Sequence, residues 1–145
     1  MSEPLEKHIV NSIVDRLAAI AKHSDDPDTQ TACFITSGIS AANEIPAGVE
    51  HLPERLTRPA KYRFIGHAER TLIARAARSG ICTDGSTMYL NWFPCSDCAL
   101  AIAEAGIATL VCDRNAYESR KNDPLYGFAE SMAILSESGV RLEWM

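Results

Sequence analysis

The chain has 145 residues, 46% of them hydrophobic, with 19 acidic against 14 Lys and Arg side chains and a formal net charge of -5. That length and composition fit one ordinary domain around a single core, and the acidic balance excludes a broad surface for polymeric nucleic acid, whose binding leans on Lys and Arg displacing counterions from phosphates. No apolar run is long enough to cross a bilayer, and Met1-Ser2-Glu3-Pro4-Leu5 lacks the basic and apolar regions of a secretory leader, so cytoplasmic residence is expected. Leu5, Ile9, Ile13, Leu17 and Ile20 recur at helical spacing and predict a first helix ending near His23-Ser24, where Asp26-Pro27 stops it. Thr31 to Thr36, followed by Ser37-Gly38, reads as a strand turning tightly into an antiparallel partner near Ile39 to Ala42. Asn43 to Arg63, with prolines at 46, 53 and 59, reads as a long loop of the kind that often carries function. Ile65 to Arg78 favours a helix stopped at Ser79-Gly80, which places His67 and Glu69 in its first turn. Thr87 to Leu90 and Thr109 to Cys112 read as strands, Cys95 to Ala105 as a helix stopped by Gly106, and Pro124 to Ser138 as a last helix before Val140 to Trp144. The alternation after residue 86 implies crossover connections and a sheet covered on both faces.

The chemistry concentrates in two short segments, His67-Ala68-Glu69 and Pro94-Cys95-Ser96-Asp97-Cys98. Together they offer three zinc ligands, His67, Cys95 and Cys98, and one carboxylate left over. A structural zinc site closes its tetrahedron with four protein ligands, whereas three leave a position for water, which the metal acidifies to a pKa of about 7. Glu69 stands two residues beyond His67, close enough to carry protons to and from that water without joining the coordination sphere. Either half alone is a weak signal, since Cys-x-x-Cys also serves redox pairs and structural knuckles. Both halves lie at expected helix starts, where partial positive charge and free N-H groups favour thiolates. The remaining cysteines, Cys33, Cys82 and Cys112, read as packing residues in a reducing compartment.

Beyond the metal motif the chain resembles the cytidine and deoxycytidylate deaminase superfamily, most closely its bacterial and phage deoxycytidylate branch. The likeness runs through Ser24-Asp25-Asp26-Pro27-Asp28-Thr29, the loop Asn43-Glu44-Ile45-Pro46-Ala47-Gly48-Val49, Pro53-Glu54-Arg55-Leu56, Lys61-Tyr62, His67-Ala68-Glu69-Arg70 and Cys95-Ser96-Asp97-Cys98-Ala99. The resemblance implies a three-layer α/β/α sandwich around a five-stranded mixed sheet, zinc at His67, Cys95 and Cys98, Glu69 as proton shuttle, Asn43 on the sugar or base, and a homo-oligomer, dimer or hexamer. The reaction expected is hydrolytic deamination of a cytosine nucleotide, dCMP to dUMP with ammonia release.

The chain departs from the family pattern in three places: Glu44 stands where Gly is usual, Thr71 where Asn is usual, and the tripeptide Thr31-Ala32-Cys33 replaces Val-Gly-Ala. These leave deamination of another aminated base, nucleoside or small heterocycle as an alternative, and a non-catalytic zinc-containing assembly module as one of another class. Candidate substrate contacts are Asn43, Glu44, Ala68, Trp92, Phe93 and Pro94, with Arg55, Lys61 and Arg114 as candidates for a phosphate and Arg58 and Arg63 in the same basic stretch. For each cation alone a solvated surface role is the ordinary alternative.

Overall fold

The computed structural model describes residues 3–145; Met1 and Ser2, and with them the reading of the chain's start, lie outside the described residues, as does the side chain of Leu5. In chain order the elements are α1 (Glu3–Ala21), β1 (Ala32–Ile35), β2 (Ser40–Ala42), a 3-10 turn at Pro53–Arg55, α2 (Lys61–Phe64), α3 (Ala68–Ser79), β3 (Thr87–Leu90), α4 (Ser96–Glu104), β4 (Thr109–Cys112), α5 (Arg114–Arg120), α6 (Phe128–Glu137) and β5 (Arg141–Trp144). The strands form one sheet in the order β2-β1-β3-β4-β5. β1 pairs antiparallel with β2 and β3, whereas β3, β4 and β5 run parallel, joined by crossovers through α4 and through α5 and α6. The mixed five-stranded sheet is the one the family resemblance implies.

Period-two alternation explains the layers. Ala32 and Phe34 of β1 pack with Leu17 of α1 on one face, while Cys33 and Ile35 join Met88, Leu90, Leu110, Ala68, Leu72 and Ile102 on the other. β1 is therefore buried at all four positions. In β3 only Met88 and Leu90 are fully buried, and Tyr89 lies on the α1 side, its ring stacked on Phe34 at 4.7 Å.

Several helix bounds differ from the sequence reading, and the 3-10 turn and α2 fall largely inside the segment Asn43 to Arg63 that it took as a loop. α3 starts at Ala68, because Ile65 is extended and the Gly66 N-H donates to the Glu44 carbonyl at 2.8 Å, holding the chain outside the helix until His67. A Cβ on Gly66 would sit 3.0 Å from Thr71 Oγ1, so any larger residue here would require the Thr71 side chain to shift by a few tenths of an ångström. α6 starts at Phe128, after Gly127 takes a left-handed conformation. α5 had no sequence expectation at all; Asp113 caps it by accepting from the Ala116 N-H at 3.1 Å.

Candidate active site

His67 is the N-cap of α3 and Cys95 the N-cap of α4. Each supplies the carbonyl that begins its helix, accepting from Thr71 N at 3.0 Å and Ala99 N at 2.9 Å. N-cap side chains commonly turn inward to hydrogen-bond the first turn. Here neither does. Both side chains are left to face one another across the converging helix starts. His67 Nδ1 lies 3.5 Å from Cys95 Sγ and 3.4 Å from Cys98 Sγ, with Cys98 buried in the first turn of α4. His67 thus sits one residue before the helix rather than within its first turn as the sequence suggested, and Glu69 stands at the second helical position.

The donor set fits zinc. Bonds of about 2.3 Å to sulfur and about 2.0–2.1 Å to nitrogen in a tetrahedron set ligand atoms about 3.6 Å apart. The observed separations of 3.4–3.5 Å match that edge, and these three residues form a group that could hold a metal ion. The electrostatics agree. A hydrogen bond from Cys98, aided by one with His67, brings the Cys95 thiol down to about 4. Its hydrogen bond to Cys95, burial and the nearby Glu69 push Cys98 up. The pair releases one proton readily and holds the second against mounting negative charge, a repulsion that a divalent cation relieves.

Glu69 is 4% exposed, and burial raises its carboxyl above the usual range, opposed by the charge of His67. It shares the wall of a cavity of about 280 Å³ with His67, Cys95, Trp92 and Phe93. Phe93 is held from behind by aromatic neighbours: Tyr117 and Phe128 each at 4.8 Å and Trp144 at 5.9 Å between ring centroids. Such packing fixes the short Trp92-Phe93-Pro94 run that delivers Cys95 to the metal position. The guanidinium of Arg120 lies 4.3 Å over the Trp92 ring.

The remaining sequence candidates divide. Asn43 lines the cavity, but its amide also ties loops together: Oδ1 accepts from Ser24 Oγ and from Thr31 N at 3.0 Å, and Nδ2 donates to the Thr29 carbonyl at 2.8 Å. Lys61 also lines it, 2% exposed, with Nζ donating to both Asp26 oxygens at 3.0 and 3.2 Å and to Asp28 Oδ2 at 2.9 Å. Glu44, Ala68, Pro94, Arg55 and Arg114 do not line it. Glu44 accepts from Ala42 N at 3.0 Å and pairs with Arg75 of α3 at 3.1 Å. Ala68 is buried in the core under the sheet, and Pro94 is fully buried. Arg55 lies over Phe64 and donates to the Glu50 carbonyl, and Arg114 lies over Trp144.

Sequence reasoning missed Leu125 and Tyr126, which reach the cavity from the turn before α6. An Asp-Pro turn carrying an apolar pair was the available signal: the Asp123 side chain accepts from Leu125 N, leaving Leu125 77% exposed at the cavity mouth. It also missed Asp26 as a cavity residue, having read it as a helix stop and as part of the segment that carries the family likeness. Replacing Lys61 by Met leaves the Asp26 carboxylate without its cation, and a loss of about 1–3 kcal/mol in urea unfolding is expected. The same change alters the acid limb. Lys61, through its hydrogen bond and charge, holds the Asp28 carboxyl below its usual value. That contribution is present at neutral pH and lost as pH falls through the lowered pKa, so the melting temperature of the Met variant should fall less on acidification.

The profile of the family described as the cytidine and deoxycytidylate deaminase zinc-binding region matches residues 9–113. A deoxycytidylate deaminase of Enterobacteria phage T2 is 53% identical over 45 residues, which are 31% of this chain and 24% of the phage protein. The chain therefore aligns with about a quarter of that relative's length. An uncharacterised deaminase from the luxG 3' region of Aliivibrio fischeri is 29% identical over 132 residues, 87% of this chain and 86% of the relative. The crystal structure of dCMP deaminase from the cyanophage S-TIM5 superposes over the whole of both chains with a TM-score of 0.71 at 19% identity, a likeness of fold.

Proposed function

Because the chain belongs to the cytidine and deoxycytidylate deaminase family, we propose that it hydrolyses the exocyclic amine of a cytosine ring, releasing ammonia and leaving a carbonyl. The observation that carries the reading is the convergence of His67, Cys95 and Cys98 at 3.4–3.5 Å beside a buried Glu69 that has no place among the three donors. His67, Cys95 and Cys98 would hold zinc, which when bound would supply an acidified water as nucleophile. Glu69 accepts a proton from the attacking water and gives it to the ring nitrogen, then takes the remaining proton from the hydroxyl added at the ring carbon and passes it to the departing amine as the carbonyl forms. Burial suits this work, since a carboxyl raised toward neutral pH both takes and returns a proton. Trp92 and Phe93 wall the ring and exclude bulk water.

The phage relative named deoxycytidylate deaminase supports dCMP to dUMP as the reference reaction. The charge pairing of Lys61 favours a second reading, in which the ring arrives without a phosphate. Among the described residues no helix is long and apolar enough to cross a membrane.

Ammonia release from zinc-loaded protein is the test, across dCMP, CMP, deoxycytidine, cytosine, adenine and guanine with Glu69→Gln as the blank. Turnover of a cytosine compound above that blank is expected. Preferential turnover of a purine would remove the cytosine assignment, and a zinc-replete protein inert on all six would remove the catalytic one.

A further inference from the structure

Two adjacent aromatic residues wall the cavity, and they are supported differently. Phe93 is wedged among Tyr117, Phe128 and Trp144, whereas Trp92 packs on no other aromatic ring among the described residues. The Trp92 ring is covered instead by the guanidinium of Arg120, 4.3 Å from its centroid. Arg120 does not line the cavity, so it backs the ring and does not meet what binds there. Its side chain is held in place: Nη1 donates to Ser119 Oγ at 2.7 Å, and that hydroxyl donates to the Ala116 carbonyl at 3.2 Å. Among the described residues no carboxylate pairs with Arg120, which leaves its charge to the indole face, the strongest aromatic partner for a cation. The main chain of the same residue serves a second wall. Arg120 ends α5, and its carbonyl accepts from Asp123 N at 3.0 Å. Asp123 then accepts from Leu125 N through its side chain and from Tyr126 N through its carbonyl, and Leu125 and Tyr126 both line the cavity.

We propose that Arg120 is a positioning residue, whose guanidinium fixes the Trp92 indole as the wall against which the substrate ring seats. This rests on the deaminase reading and adds to it a residue outside the cavity. A wall ordered before the substrate arrives spares that ordering cost at binding, so the effect falls on KM. The metal ligands are insulated from it, because Phe93 and Pro94, both fully buried, anchor the chain between Trp92 and Cys95.

The experiment compares zinc-loaded wild type with Arg120→Ala and Arg120→Lys; Ala is a strong helix former and leaves the end of α5 intact. One readout is KM and kcat for whichever of dCMP, CMP, deoxycytidine and cytosine the wild type turns over. The other is acrylamide quenching of Trp92 fluorescence in a Trp144→Phe background, where Trp92 is the only tryptophan. In Arg120→Ala, KM should rise about fivefold with kcat within about twofold of wild type, zinc should be retained, and quenching should steepen. Arg120→Lys, which keeps a cation, should recover most of both changes. An unmoved KM in Arg120→Ala, a loss of kcat/KM carried wholly by kcat, a Lys variant no better than the Ala variant, or unmoved quenching would overturn the proposal. If the wild type deaminates none of the six compounds while quenching still steepens in Arg120→Ala and recovers in Arg120→Lys, the positioning of Trp92 stands and the deaminase reading fails.

Discussion

The Glu69→Gln protein is expected to hold zinc as the wild type does and to release ammonia about 10²- to 10⁴-fold more slowly. The size of the effect follows from asking one carboxyl to act as base and then acid in a single turnover. Retained zinc follows from the donor set, which is complete with one imidazole and two thiols. Gln fills the same volume at a site that is 4% exposed, so little packing is lost. Stability carries a sign of its own. Burial raises the folded-state pKa of Glu69, so the native state binds its proton more tightly, and zinc-free wild type loses stability as pH rises from the ordinary carboxylate range through that raised pKa. Gln has no such proton to lose. The zinc-free variant should therefore melt at or above the wild-type temperature at neutral pH while being catalytically crippled. Metal analysis, ammonia release and thermal denaturation on one preparation read all three.

Cys98→Ala is expected to abolish stoichiometric zinc, and activity with it. Removing one of three ligands leaves His67 and Cys95, too few to fix the ion against water. Zinc stabilises whatever form binds it, by about 4 kcal/mol at a thousandfold excess over Kd, and the variant should lose that gain in melting temperature. Cys33→Ala and Cys112→Ala are the controls. Both thiols are buried in the sheet and pushed up by that burial, remaining neutral and outside the metal triad. Their replacement should cost about 1 kcal/mol or more of packing yet leave zinc at one per chain. Loss of zinc in either control, or its full retention in Cys98→Ala, would place the metal elsewhere.

How much of this was legible in the sequence depends on the reach of each signal. Thr87–Leu90 and Thr109–Cys112 are strands where the sequence put them, because short β-rich runs between turns specify themselves locally. Gly80 and Gly106 close their helices with positive φ, again a local requirement. α5 escaped notice because Arg114 to Arg120 buries only Ala116 and so carries almost no apolar period. The same reach governs the site. His67, Cys95 and Cys98 could be read as a set because their spacing encodes the chemistry. The destination of Glu44 could not, since its carboxylate meets an Arg75 that is distant in sequence and becomes a neighbour only when α3 packs on β2. Leu125 and Tyr126 come to the cavity by the same kind of tertiary placement.

The central claim is that this cavity replaces a ring amine with an oxygen taken from water. The most direct test is turnover of a cytosine nucleoside in oxygen-18 water, with the product followed by mass spectrometry. A uracil product carrying one heavy oxygen for each ammonia released, and none formed by Glu69→Gln, is the predicted result. Ammonia released without label in the product, or labelled product formed at equal rate by Glu69→Gln, would contradict it.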